Sequence, residues 1–194
     1  MPPSPRQKDI LDAALHLVRQ RGLSGLTIRR LAGQVGVTEG ALYRHFRGKA
    51  EIILGLIDRL EQMLFEPIRR IADETGSSPR TKLRRLLRHH TTVINETDSL
   101  PILLLAEVVA SGDPLLIARM EKLFHSYLAL LEKLLDEQTG EQAPLVADQA
   151  ALTLLGVVSA FAIKRRLTFS DQASTIPPIE AIDFLVDRLT RRQR

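Results

Sequence analysis

The stretch from Gly25 to Lys49, GLTIRRLAGQVGVTEGALYRHFRGK, constrains this chain more than any other. Thr27 precedes Ile28, Leu31 and Val35, whose i, i+3, i+7 spacing makes one apolar stripe of a short helix. The Thr27 hydroxyl can accept from a first-turn amide that has no partner inside the helix, so it suits the N-cap. Gly36 is placed to end that helix, because only glycine enters the left-handed cap conformation without a Cβ penalty. Val37 follows as an apolar plug. Thr38 caps a second helix with Ala41, Leu42 and Phe46 on its inner side. Two short helices joined by a glycine turn form a helix-turn-helix, a geometry that can lay one helix in a DNA groove.

An ordinary helical hairpin with a solvated outer face has the same apolar pattern. The outer residue types separate the two readings. Arg29, Arg30, Tyr43, Arg44, His45, Arg47 and Lys49 crowd that side, as contact with a polyanion requires. Charge is segregated to match. Residues 1–50 hold nine of the 27 Lys and Arg but only three of the 23 Asp and Glu (Asp9, Asp12 and Glu39). The formal net charge of +4 is thus an N-terminal excess set against a slightly acidic remainder.

The run from Arg6 to Lys49 resembles the TetR family of bacterial transcriptional regulators (TetR/AcrR type). ILDAALHLVRQRG resembles the family's first helix, LTIRRLAGQVGVT its second helix and turn, and GALYRHF with GK its recognition helix and the start of the fourth helix. The likeness covers roughly the first 55 residues. It implies an all-α fold of about nine helices. A three-helix DNA-binding domain over 1–50 would precede a helical effector-binding and dimerisation domain over 51–194. The implied DNA contacts are Thr27, Arg29, Arg30, Thr38, Glu39, Gly40, Tyr43, Arg44, His45 and Lys49. By position, Thr27, Thr38, Tyr43, His45 and Lys49 match contacts to phosphate and sugar, and helix N-termini attract anions. Arg29 and Arg44 are the favoured base readers, since Arg pairs with guanine O6 and N7. Gly40 can only permit close approach, and Glu39 either accepts from a cytosine amine or is tolerated.

The rest of the chain reads helical, with segments expected over 6–21, 27–34, 38–45, 49–74, 80–96, 99–111, 113–138, 145–169 and 178–192. Prolines at 79, 101, 114, 144, 177 and 178 fall at boundaries, while Pro67 should kink or end the helix that starts at Lys49. The chain has no cysteine, so it has neither a disulfide framework nor a zinc-finger ligand set. No metal site or cofactor is expected. Met1 to Gln7 is polar and proline-rich, unlike a signal peptide. The apolar run Leu152 to Ile163 is too short to cross a bilayer, and a cytoplasmic soluble protein without a membrane role is the simple reading.

Two parts of the C-terminal half invite a functional reading. Helices over 80–138 offer His89, His90, Glu107, Phe124, His125 and Tyr127 as anchors for a small apolar or amphipathic effector; each equally fits plain core. His89 and His90 are adjacent, so they point about a hundred degrees apart and cannot both face one site. Leu152, Leu155, Gly156 and Ala160, with Ile182, Leu185, Val186 and Leu189, form apolar stripes on the last two helices. The resemblance implies that these pair with a two-fold mate, as palindromic half-sites require; monomer core is the alternative. The basic ends at Lys164, Arg165 and Arg166 and at Arg191, Arg192 and Arg194 read as solvated helix termini.

The resemblance therefore implies a regulator that binds a double-stranded operator as a homodimer, most simply a repressor released by an effector. The alternative is an activator or architectural factor of the same fold without a small-molecule effector. G-x-S-x-G, H-E-x-x-H, a phosphate-cradling glycine loop and a cysteine nucleophile are all missing from the sequence, which argues against an enzyme.

Overall fold

The computed structural model describes residues 3–139, 143–167 and 179–191. The regular elements among these residues are all helical. They are α1 (Pro5–Arg21), a single 3-10 turn (Leu23–Gly25), α2 (Ile28–Val35), α3 (Glu39–Tyr43) and α4 (Lys49–Leu60). A π-helical turn (Glu61–Phe65) then leads into α5 (Glu66–Asp73), α6 (Pro79–Glu96), α7 (Leu100–Ser111), α8 (Pro114–Thr139), α9 (Ala147–Leu167) and α10 (Ile179–Leu189). Counting the unbroken helical path from Lys49 to Asp73 once gives the nine helices that the sequence implies. The expected helix limits at 169, 178 and 192, and Pro177, Pro178, Arg192 and Arg194, lie outside the described residues.

The chain forms two compact units. The first comprises Met1–Leu60 and Leu103–Glu121, so the expected boundary at residue 50 falls within it; the second comprises Glu61–Ile102 and Lys122–Arg194.

In the first unit, α1 opens on a reciprocal capping box. Ser4 Oγ accepts from Gln7 N at 3.2 Å, and Ser4 N donates to Gln7 Oε1 at 2.9 Å. Ile10, Ala14 and Val18 of α1 are fully buried, as are Leu31, Leu42, Leu56 and Ile57 from α2, α3 and α4. Apart from Ala14, each such side chain contributes about 1.5–3 kcal/mol relative to exposure, so this small core is what fixes the short helices α2 and α3. Helix α4 approaches α1 closely at Gly55, where an added Cβ would stand 2.6 Å from Leu11 Cδ2. Asp12 of α1 pairs with Arg59 of α4, and Asp58 of α4 accepts from Arg119 Nη2 of α8 at 2.8 Å.

In the second unit, Pro67 resolves in a way the sequence leaves open. It neither ends nor sharply breaks the helix; the turn before it widens into the π form. Pro67 has no N–H to offer Met63 O four residues earlier, and His89 Nε2 of α6 donates to that oxygen at 2.9 Å. A row of arginines on α6, at 80, 84 and 88, faces Asp183 and Asp187 on α10. Arg80 Nε donates to Asp187 Oδ1 at 3.0 Å and Arg88 Nη2 to Asp183 Oδ2 at 2.6 Å, while Arg84 pairs with both aspartates. Residues spaced four apart share a helix face, so the row is one seam.

Arg165 and Arg166 correct the reading of α9's basic end as solvated. Both pair with Asp98, and each is about two-thirds buried. Asp98 and Ser99 take positive φ of 51° and 64°, and Ser99 is held from both sides: its N–H donates to Ile94 O at 2.8 Å and its hydroxyl to Ala162 O at 3.2 Å. Helix α9 as a whole is long and apolar enough to cross a bilayer, more so than the run Leu152–Ile163 suggests. One face of it, with Ala150, Ala151, Leu154, Val158 and Ala162, is buried, whereas Leu152, Gly156, Ala160 and Ile163 are exposed.

Candidate nucleic-acid interface

The interface is built from two helix starts and the turn between them. Thr27 caps α2 in extended geometry, its Oγ1 accepting from Arg30 N at 3.3 Å. Thr38 caps α3 in the same way, accepting from Ala41 N at 3.2 Å. Each hydroxyl spends a lone pair on its cap and keeps its own proton to donate to an anion. Gly36 ends α2 at φ 73° and ψ 36°, the left-handed cap expected from the sequence. Its N–H and that of Val37 return to the α2 carbonyls Gly33 O and Ala32 O, closing the turn.

Helix α3 is five residues long, shorter than the expected 38–45. Arg44, His45 and Phe46 continue as a turn, with His45 N and Phe46 N both donating to Leu42 O. Leu42 and Phe46 are buried beneath this segment. Thr27, Arg29, Arg30, Thr38, Glu39, Gly40, Tyr43 and Arg44 are exposed, and His45 is half-buried. Tyr43 keeps 49% of its surface. Arg30 Nη1 bends back to Gly25 O at 3.4 Å, and Arg29, Arg44 and Arg47 are also exposed on this side. Glu39 sits in the first turn of α3, where the helix dipole favours a carboxylate; this is a structural reason for an acid on an otherwise basic face. No atom outside the local helix lies within 4 Å of where a Gly40 Cβ would stand, so the backbone there is open to close approach.

Two further residues belong to this surface. Gln7 Nε2 donates to His45 O at 3.1 Å and so ties α1 to the end of the recognition segment. Its signal was available in sequence, in the S-x-x-Q spacing of Ser4 and Gln7. Lys49, the first residue of α4, has its Nζ 2.6 Å from Glu107 Oε1 of α7, so Glu107 stands beside a DNA-contact candidate.

Comparison with known proteins agrees with this geometry. The profile of "Bacterial regulatory proteins, tetR family" matches residues 10–56. The nucleoid occlusion factor SlmA of Vibrio vulnificus strain YJ016 is 32% identical over 159 residues, 80% of this chain and 81% of that protein. The chain belongs to the tetR family. It is therefore an all-α DNA-binding transcriptional regulator. Solved structures share the fold throughout. AibR in complex with isovaleryl coenzyme A and operator DNA has a TM-score of 0.73 at 19% identity, covering 97% of this chain and all of that one. FadR from Bacillus subtilis in complex with stearoyl-CoA has a TM-score of 0.73 at 18% identity, covering 96% of this chain and 99% of that one.

Of the six effector-site candidates, five lie in the second unit and Glu107 lies in the first. His90 and Tyr127 come together, with His90 Nδ1 and the Tyr127 hydroxyl 3.0 Å apart and both side chains buried. His89 turns away to Met63 O. Phe124 and His125 are exposed on α8, their rings edge-on with centroids 6.2 Å apart. Glu107 lies in the first unit, at Lys49.

The dimerisation candidates divide by face. Ile182, Val186, Leu189 and Leu155 are buried within the subunit and Leu185 is half-buried, whereas Leu152, Gly156 and Ala160 are exposed. Ile163 extends this outward stripe of α9, and Ile179 and Phe184 are large exposed apolar residues of α10, with the Arg188 guanidinium 5.3 Å from the Phe184 ring centre.

Proposed function

We propose that this chain binds a palindromic operator as a homodimer, with Arg29 and Arg44 reading base edges. Thr27, Thr38, Tyr43, His45 and Lys49 position it on the phosphates. The observation that carries this reading is the pair of hydroxyl-capped helix starts, which flank two outward arginines and an exposed tyrosine on the basic face. Dimerisation through the outward stripe Leu152, Gly156, Ala160 and Ile163 supplies the two-fold symmetry that a palindrome needs. Gly156 and Ala160, small and four apart, let a partner helix come close.

Two modes of control are carried forward. In the first, a small apolar or amphipathic effector binds the second unit and releases a repressor from its operator. In its support, AibR and FadR, of the same fold, are seen with acyl-coenzyme A esters, and His90 with Tyr127 offers a polar pair in an apolar setting. In the second, the protein is an architectural factor governed without such an effector. What favours this reading is that the likeness to the nucleoid occlusion factor runs well past the DNA-binding segment at 32% identity. In addition, the polar atoms of His90 and Tyr127 are already joined to each other.

One experiment separates them. The operator is selected from random duplexes, and its affinity is measured by fluorescence anisotropy with and without saturating isovaleryl- or stearoyl-coenzyme A. A fall in affinity with either ester supports the released repressor. Unchanged affinity, with selection of a defined palindrome, supports the architectural reading. Failure to select any sequence sinks both.

A further inference from the structure

We infer that Glu107 competes with DNA phosphate for Lys49 and thereby sets the affinity of this protein for DNA. The inference rests on the reading of Lys49 as a phosphate contact. Lys49 is the first residue of α4, at the positive end of that helix's dipole, where a cation is disfavoured unless an anion stands near. In the free protein that anion is Glu107 Oε1, 2.6 Å from Lys49 Nζ, on a carboxylate three-quarters buried. The other acid in the first turn, Glu51, is engaged elsewhere, its carboxylate accepting from Arg47 N at 2.5 Å. The pair is fixed from a distance too. Further along α4, Asp58 accepts from Arg119 Nη2 at 2.8 Å, so α4 is tied to the 103–121 segment by two ion pairs of opposite polarity.

Counterion release drives DNA binding only for cations that are free to neutralise phosphates. A lysine already neutralised at 2.6 Å must exchange one anion for another, and the exchange returns little. An ammonium that touched both at once would bring the Glu107 carboxylate close to a phosphate, which repels it. Glu107 therefore acts as a standing brake, and any change that draws α7 away from Lys49 frees one phosphate contact.

The test is a two-residue cycle read by anisotropy on operator and random duplexes across a salt series. Glu107→Gln, nearly isosteric, should tighten both duplexes about two- to fivefold, the range that a partly exposed ion pair is worth. It should also steepen the slope of log affinity against log salt by about one. Glu107→Ala, which leaves no amide to accept from Lys49, should do the same. In a Lys49→Ala background both gains should vanish. Equal tightening in both backgrounds would mean that Glu107 acts through the general field, and it overturns the proposal. Weaker or unchanged binding by the Glu107 variants also overturns it, since Glu107 would then position Lys49 or be inert. If Lys49→Ala alone leaves DNA binding intact, the phosphate-contact reading has failed first, and the inference falls with it for a separate, recognisable reason.

Discussion

His90 Nδ1 lies 3.0 Å from the Tyr127 hydroxyl, and the Tyr127 ring also meets Phe65 edge-on with centroids 5.7 Å apart. Burial makes a charge on either polar ring costly. It pushes the His90 imidazole down to about 3, with a smaller push from the charge of neighbouring His89, and it raises the Tyr127 phenol above its ordinary range. An unfolded chain takes up a proton at the imidazole below about 6.5, whereas the folded chain refuses it until about 3. The unfolded state therefore binds more protons within that window, so stability is complete above it and declines as pH falls through it. The slope from this group should approach about 1.4 kcal/mol per pH unit. His90→Leu leaves the Tyr127 hydroxyl unpaired, which lowers stability near neutrality, but it should flatten the slope between pH 6.5 and 5, so that the two proteins converge as pH falls. Urea midpoints at half-unit steps test this; a wild-type slope no steeper than the variant's excludes a buried neutral imidazole.

The two arginines and the two caps of the DNA face should separate by kind. Arg29→Ala and Arg44→Ala should each cost about 1–3 kcal/mol on the operator and relax preference at one base position. Thr27→Ala and Thr38→Ala should weaken all sequences alike. They should also lower folding stability by about 0.5–2 kcal/mol, because each hydroxyl holds a helix amide. Selection from a randomised duplex library, with a thermal melt for each variant, reads both effects. Should the arginine variants lose operator and random DNA in equal measure, neither reads a base.

Asp187 anchors the seam between α6 and α10. The Arg80 hydrogen bond outweighs the opposing effect of burial, and with the fields of Arg80 and Arg84 it holds the carboxyl below its usual value. A depressed carboxyl contributes stability above its unfolded value of 3.8, and that contribution is lost as pH falls through the folded value. Asp187 is a third exposed, so solvent screening keeps the effect small. Asp187→Asn should cost about 1 kcal/mol near neutrality, less in high salt, and progressively less as pH falls below 3.8. A cost that persists undiminished at pH 3 would assign Asp187 a packing role.

Which features the sequence reveals depends on the range of the interaction. Thr27, Gly36 and Thr38 are readable because a cap needs its own residue type within three positions of the amide it serves. The buried faces of α2 and α3 follow from apolar spacing for the same reason. Glu107 is different: nothing near it in sequence says that its partner is Lys49, 58 residues away. Likewise, α10 is apolar at Ile182, Val186 and Leu189, but periodicity does not say whether that face meets its own subunit or a mate. In the structure the arginines at 80, 84 and 88 engage Asp183 and Asp187, and the apolar residues beside them are buried within the chain. Asp98 shows the same dependence, since it decides that Arg165 and Arg166 are paired rather than solvated.

Pro67 and His89 should prove energetically coupled through one oxygen. The proline removes the amide that an α-helix would direct at Met63 O, and His89 Nε2 supplies a donor from α6 at 2.9 Å. This requires the imidazole tautomer protonated at Nε2. His89→Ala withdraws the donor and should cost about 0.5–1.5 kcal/mol. Pro67→Ala restores a backbone N–H within reach of Met63 O, allowing the π turn to relax toward α geometry. In that background the loss on His89→Ala should be much smaller. A double-mutant cycle by chemical denaturation measures the difference, with a coupling of at least about 0.5 kcal/mol expected for groups that share a partner. Additive losses would mean that His89 stabilises the fold through its ring contacts and that Met63 O does not depend on it.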